Sequence, residues 1–250
     1  MFLFGWGDDE WLDRADSCRI EVAVEIKQLH RWDVTTAEAR EIQRDLAARV
    51  IRTDEIGEVR MVAGVDMALG RFSRIGRGAV VVLDYPSLAV REVQVVEVEI
   101  QFPYIPGLLS FREAPVVLQA FARLSSSPDL VFVDGQGIAH PRRFGIASHL
   151  GVLLDTPTIG CAKSILVGHQ GELGLEAGSV APLVDRDEVV GMAVRTKAKV
   201  KPVYASIGHK VDLDAAVHWI LACRRGYRLP EPTRLAHQAA GGASIVDFQT

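Results

Sequence analysis

The chain has little that could staple it together. It holds three cysteines in 250 residues, Cys18, Cys161 and Cys223, widely spaced and with no CxxC pair. An odd, scattered set excludes a disulfide framework, disfavours a structural zinc site and fits a reducing compartment. No apolar run approaches the roughly 20 residues of a membrane span. The opening MFLFGWGDDEWLD lacks both the basic and the apolar stretch of an export signal. A cytoplasmic protein with no membrane anchor is expected. Repeats and low-complexity tracts are missing as well, and so is an excess of positive charge, with 28 basic against 32 acidic residues and a net charge of −4. That balance argues against gross attraction to nucleic acid, but its distribution weakens the objection. Residues 1–60 carry 14 acidic and 9 basic side chains, which leaves 18 acidic and 19 basic in the remainder. Between 193 and 211, Arg195, Lys197, Lys199, Lys201 and Lys210 occur without any acidic residue. Such a stripe can contact phosphates or form an ordinary solvated face.

What is present is the profile of a globular protein, 48% hydrophobic and 24% charged. A chain of this length buries roughly three quarters of its unfolded surface and can hold a core unaided. Apolar residues at helical spacing, Ala39, Ile42, Leu46, Ala47 and Val50, predict an amphipathic helix over 35–52. Valine-rich segments at 59–69, 79–84 and 90–100, separated by turn residues, predict an antiparallel meander of three strands. The pattern then alternates: helix over 115–124, a short strand at 130–133, helix over 144–154, strands at 158–159, 189–194 and 203–205, and a helix over 213–224. A meander running into βαβ units predicts a mixed-sheet α/β domain flanked by helices. The tryptophan-containing, acidic residues 1–28 read as an extension of unknown role, and 238–250 as a tail.

Several polar residues stand where burial or loop geometry makes them conspicuous. Asp66 interrupts the apolar strand MVAGVDMAL, where it either caps a neighbouring element or meets a partner or metal. Asp134 ends the run LVFVD before Gly135, Gln136 and Gly137, at the carboxyl end of a strand, where open α/β sheets place ligands; a plain glycine turn is the alternative. Glu113 in SFREAP either completes a capping box with Ser110 or faces a site from a first helical turn. Carboxylates from three separate elements would supply the hard oxygen ligands that magnesium prefers. His209 in ASIGHK and Lys163 in GCAKS are each an ordinary structural or surface residue, or else a partner to such a metal and to a transition-state phosphate. The two prolines of Pro103-Tyr104-Ile105-Pro106 stiffen a loop, which either packs its tyrosine on the core or holds it as a wedge between bases. Arg142 and Arg143, just after the DGQG turn, are candidate phosphate contacts.

FPYIPGLLSFRE, VDGQGIAHPRRFGIASHLGVL, PTIGCAKS, SIGH and LPEPTRLAH occur in one order, and from about residue 29 to 237 the chain resembles endonuclease V. The resemblance implies a catalytic domain over 29–237 with a ribonuclease-H-like fold. It implies magnesium-dependent hydrolysis, with manganese able to substitute, of the second phosphodiester bond on the 3′ side of a deaminated purine, chiefly deoxyinosine. It assigns metal-binding carboxylates to Asp66, Glu113 and Asp134, and further catalytic roles to Lys163 and His209. Pro103 to Pro106 become the wedge, and Gly107, Leu109, Gly135, Gly137 and His140 a pocket for the extruded base. Gln136 departs from the histidine that many relatives carry between the two glycines. DNA containing a deaminated base is the implied partner and a monomer the expected state. Two other readings stay open: an endoribonuclease acting on inosine-containing RNA, and a lesion-binding module whose acids merely cap helices.

Overall fold

The structure, a computed structural model, describes residues 24–69 and 74–243. Cys18 and the acids Asp8, Asp9 and Glu10 lie outside the described residues.

Helix α1 (Thr36–Ala47) opens on a capping box: the Thr35 amide donates to the Glu38 carboxylate at 2.8 Å, and the Glu38 amide donates to the Thr35 hydroxyl at 3.3 Å. The meander follows as β1 (Met61–Leu69), β2 (Ile75–Asp84) and β3 (Ala89–Glu99). Then come α2 (Leu109–Phe121), β4 (Leu130–Val133), α3 (Ile146–Leu154) and β5 (Thr158–Ala162). The chain continues through β6 (His169–Gln170), β7 (Val180–Asp185), β8 (Glu188–Val194), β9 (Val203–His209), α4 (Leu213–Ala222) and α5 (Glu231–Ala240). The strands form one sheet in the order β3-β2-β1-β4-β5-β9-β8-β7-β6. Its centre, β1-β4-β5, is parallel, and the flanking strands are antiparallel.

Alternation along the central strands explains why helices cover both faces. Val62, Leu130, Phe132, Ile159 and Cys161 join the core shared with α4 and α5, while Ala63, Val65, Val131 and Val133 join the core beneath α2 and α3. Consecutive side chains of a strand point to opposite faces, so a strand apolar at every position must be buried twice.

Four elements, α2, α5, β6 and β7, differ from what periodicity suggests. Helix α2 begins six residues before Pro115, which reads as a first-turn proline but lies inside the helix. Its N-cap is Leu108, so the Ser110/Glu113 capping box does not form, and both side chains sit within the helix. Helix α5 starts at Pro230-Glu231-Pro232, where prolines are tolerated because first-turn amides have no partner in the helix. It runs past His237 and buries Ala239 and Ala240, so the helix extends into the segment read as tail. At the other end, Val24 is buried and the Lys27 amide donates to the Leu153 carbonyl at 2.8 Å, so packing begins before residue 29. Strands β6 and β7 lie at the far edge of the sheet and were not evident from the sequence pattern.

Candidate active site

Because β1, β4 and β5 run parallel, their carboxyl ends reach the same edge of the sheet. Asp66 near the end of β1, Asp134 directly after β4 and Lys163 directly after β5 therefore converge. The fourth member arrives through a glycine. A Cβ on Gly64 would stand 1.8 Å from the Pro232 carbonyl oxygen, so only glycine lets α5 lie this close on β1. That approach brings His237 to Asp66, with Nδ1 2.6 Å from Oδ2. Asp66, Asp134 and His237 each offer one ligand atom, all within 4.8 Å of one another. Lys163 makes an ion pair with Asp134, and its Nζ is 3.2 Å from His237 Nδ1.

These contacts make incompatible demands. A carboxylate accepts and an ammonium donates, so His237 Nδ1 cannot satisfy Asp66 and Lys163 together. Glu113 on α2 is a third acidic group near Asp66 and Asp134, although it is not among the ligand atoms that converge within 4.8 Å. Burial and the nearby Asp66 and Asp134 push its carboxyl up to about 8. Asp134 is raised as well, by burial and then Asp66, with Lys163 opposing. Two oxygen donors and one imidazole crowded in this way, with a third carboxylate close by, fit a divalent cation of the magnesium or manganese type, whose charge would reverse the repulsion.

His209 is not part of this cluster. β9 runs antiparallel to β5, so its last residue pairs with Thr158 at the opposite end of the sheet. There its Nδ1 accepts from the Ile51 amide at 3.2 Å, and its Nε2 faces Asp155 at 3.6 Å. The histidine that accompanies the carboxylates is His237. Its sequence signal was a place on the flank of an amphipathic helix, hidden by two prolines.

Segments adjoining Asp134 and Glu113 in the chain line a cavity of about 110 Å³, with Tyr104, Gly107, Leu109, Gln136 and His140 among its walls. Tyr104, Ile105 and Pro106 line it from a proline-stiffened loop, Tyr104 is 69% exposed, and Pro103 instead lines a separate groove with Trp32 and Phe111. Gly107 adopts φ +78°, and its carbonyl accepts from His140 Nε2 at 3.0 Å and from Arg142 Nη2 at 2.5 Å. His140 Nδ1 accepts from the Arg142 amide at 3.2 Å. With both ring nitrogens used, and with burial and then Arg142 holding its pKa down to about 4, His140 is a neutral strut for this loop. Gly135 and Gly137 are not among the lining residues. A Cβ on either would strike Ile146 or the Ile207 carbonyl, so they serve close packing against α3 and β9.

The arginines are largely committed. Arg143 pairs with Asp185 at 2.8 Å and with Glu188 at 2.7 Å, which uses the guanidinium expected to contact phosphate. Arg142 Nε donates to Gln43 at 2.6 Å. Arg195 is buried and donates to the carbonyls of Gly174 and Val200, and Lys210 pairs with Asp155, so the basic stripe reduces to the exposed Lys197, Lys199 and Lys201. Arg228, which the sequence did not single out, donates to the Lys163 carbonyl at 2.5 Å and anchors the backbone of that lysine.

A sequence model described as Endonuclease V matches residues 44–238. The chain belongs to the endonuclease V family. An endonuclease V from Gloeobacter violaceus is 56% identical over 212 residues, covering 84% of this chain and 86% of that protein. The crystal structure of an endonuclease V from Streptomyces avermitilis is similar with a TM-score of 0.80 at 44% identity, covering 88% of this chain and 96% of that one. The endonuclease V of Ciona intestinalis, solved in complex with a 23mer DNA containing an inosine followed by a ribo-adenosine, is similar with a TM-score of 0.74 at 30% identity over 83% of this chain and 97% of that one. As an endonuclease V the protein is a nuclease, and its mixed sheet is the ribonuclease-H-like fold.

Proposed function

We propose that the protein is a DNA repair endonuclease that recognises deoxyinosine and hydrolyses the second phosphodiester bond on its 3′ side, using magnesium, with manganese able to substitute. The observation that carries this reading is the convergence of Asp66, Asp134, His237 and Lys163 on segments that also line a partly open cavity bordered by the Tyr104 loop. Cluster and cavity are built from the same segments: Asp134 lies two residues from Gln136, and Glu113 one helical turn from Ser110.

Asp66, Asp134 and His237 would hold the cation, with Glu113 adding a carboxylate at the same edge. Bound there, a divalent ion supplies Lewis acidity toward a phosphate oxygen and acidifies a water. Lys163, anchored by Arg228, offsets negative charge developing on the phosphate. Tyr104, held out by its flanking prolines, enters the base stack while the cavity receives the extruded base, offsetting an unstacking cost of a few kcal/mol. The reaction leaves a 5′-phosphate. Exposed Lys197, Lys199 and Lys201 contribute salt-sensitive backbone attraction. In this reading the protein acts as a monomer in the cytoplasm. Separately, among the described residues no helix is long and apolar enough to cross a membrane.

The test is cleavage of end-labelled duplexes with and without one deoxyinosine, in magnesium and in EDTA, mapped to single-nucleotide resolution. A metal-dependent nick one bond beyond the adjacent linkage is expected, and its absence refutes the reading. A ribo-adenosine follows the inosine in the DNA of the Ciona complex, which supports a second reading as an inosine endoribonuclease. Matched RNA and DNA oligonucleotides separate the two: comparable cutting favours the ribonuclease, and loss of most activity on RNA favours the DNA enzyme.

A further inference from the structure

The cavity beneath the Tyr104 loop contains a polar asymmetry that points to how a base would be read there. Gln136 is 9% exposed and Ser110 2% exposed, and both line the cavity. Gln136 Nε2 donates to the Ser164 carbonyl at 2.8 Å. That oxygen can only accept, so the amide nitrogen must face it, which fixes the amide orientation and turns Oε1 the other way. Gln136 Oε1 is buried with no hydrogen-bond partner, and so is Ser110 Oγ. The other polar side chains around the cavity are spent or exposed. Gln43 donates to the Phe144 carbonyl and accepts from Arg142, His140 uses both ring nitrogens, and Tyr104 projects into solvent.

A buried acceptor without a donor is costly unless a ligand completes it. The two orphans differ in what they tolerate. The Ser110 hydroxyl can rotate to donate or accept, whereas Gln136 Oε1 is an acceptor that cannot be exchanged for a donor without breaking the Ser164 bond. Discrimination therefore rests on Gln136. We propose that Gln136 is the specificity-determining side chain of this cavity, its Oε1 accepting the N1–H of a lactam purine, with the Ser110 hydroxyl as a permissive second contact. A lactam ring carries a proton on N1 and an aminopurine a lone pair, so an acceptor fixed at that position attracts the first and repels the second. This deepens the reading of the cavity as the seat of an extruded inosine base and rests on it.

The experiment compares full-length wild type with Gln136→Met, which keeps side-chain length but removes the acceptor. Single-turnover cleavage and equilibrium binding are measured on duplexes carrying either deoxyinosine or 2′-deoxynebularine, a purine with neither N1–H nor the carbonyl. Wild type should prefer inosine. Gln136→Met should lose about 10- to 100-fold on inosine, the scale of an unmade buried hydrogen bond, while nebularine is not weakened and improves as the acceptor facing its N1 lone pair is removed, so that the preference collapses. Because both substrates meet the same variant, a fold or loop defect lowers both. A parallel loss on both substrates, no loss on either, or a wild type indifferent to the two bases each overturns the inference. A wild type that neither binds nor cuts inosine overturns the functional reading beneath it.

Discussion

The two ends of the sheet carry nearly the same residue types and do opposite things with them. At the carboxyl ends of the parallel strands stand Asp66, Asp134, His237 and Lys163, and at the other end Asp155, His209, Lys210 and Lys27. In the second group one carboxylate is shared among several cations. Asp155 meets Lys27 at 2.9 Å, Lys210 at 3.0 Å and His209 at 3.6 Å, and its pKa is held down to about 2 by the two lysines. Every demand there is met. In the first group the balance is reversed: Asp66 and Asp134 face one lysine, and burial together with these two carboxylates drives the pKa of neighbouring Glu113 up to about 8. A histidine among carboxylates is thus not a functional signature by itself. The sign of the unbalanced charge separates a place that clamps the fold from one that calls for a cation.

The largest effect expected from this contrast concerns the carboxylates. Asp66→Asn and Asp134→Asn should each reduce inosine-directed cleavage at least about a thousandfold, the upper range for loss of a central electrostatic group, with lesion binding retained. Asp155→Asn should cleave as wild type does. Retained turnover in either of the first two would erase the distinction between the ends. The histidines sharpen it next. His237→Ala should lower cleavage by about 10- to 100-fold and weaken manganese binding in calorimetry, in line with loss of a metal-site partner. His209→Ala should leave cleavage within about twofold and lower stability by about 1 kcal/mol through the Ile51 contact.

Gly64→Ala tests whether the active end depends on the approach of α5. The added methyl meets the Pro232 carbonyl, so the helix must retreat, at a cost of about 3 kcal/mol and with His237 withdrawn from Asp66. Urea unfolding together with cleavage should show both losses; an alanine variant with unchanged stability would mean that α5 is not tightly seated. The smallest effect is the acid response of the clamped end. The Asp155 carboxyl sits at about 2 against its ordinary 3.8, so its pairs contribute fully above about pH 4 and fade as pH falls through 2. The group is half exposed, so solvent screening limits this to about 1 kcal/mol or less. Asp155→Asn should lower stability by that amount between pH 5 and 8 and converge with wild type as pH falls through 2, which flattens the acid limb of a thermal-melt series.

Much of this contrast was legible in the chain and part was not. The meander, the parallel strand ending in Asp134 and the amphipathic α1 follow from period-2 and period-3.6 patterns, because a strand or helix buried on a given face must repeat at its own geometry. Asp66 and Asp134 stood out because each ends or interrupts an apolar run. The two histidines could not be sorted in the same way. SIGH looks like a site because it closes a buried strand beside a turn, but whether that strand runs with or against β5 decides which end it reaches. LPEPTRLAH carries no helix expectation, because its prolines mask the helical spacing, although both fall where a helix start tolerates them. Arg142 and Arg143 follow the same logic: a basic pair after a glycine turn reads as a phosphate contact until Gly107, Gln43, Asp185 and Glu188 are seen to occupy it.

The sequence by itself determined the mixed α/β architecture, the carboxylates and lysine at the strand ends and the stiff Tyr104 loop, since these depend on local periodicity, burial cost and proline geometry. The tertiary structure alone decided that His237 rather than His209 joins the carboxylates, that His140 braces a loop, and that Gln136, tied to Ser164 through its amide nitrogen, keeps a buried acceptor without a partner. Those outcomes depend on strand direction, on the closeness of α5 to Gly64 and on which partner takes each hydrogen bond, all of which are relations between residues far apart in the chain.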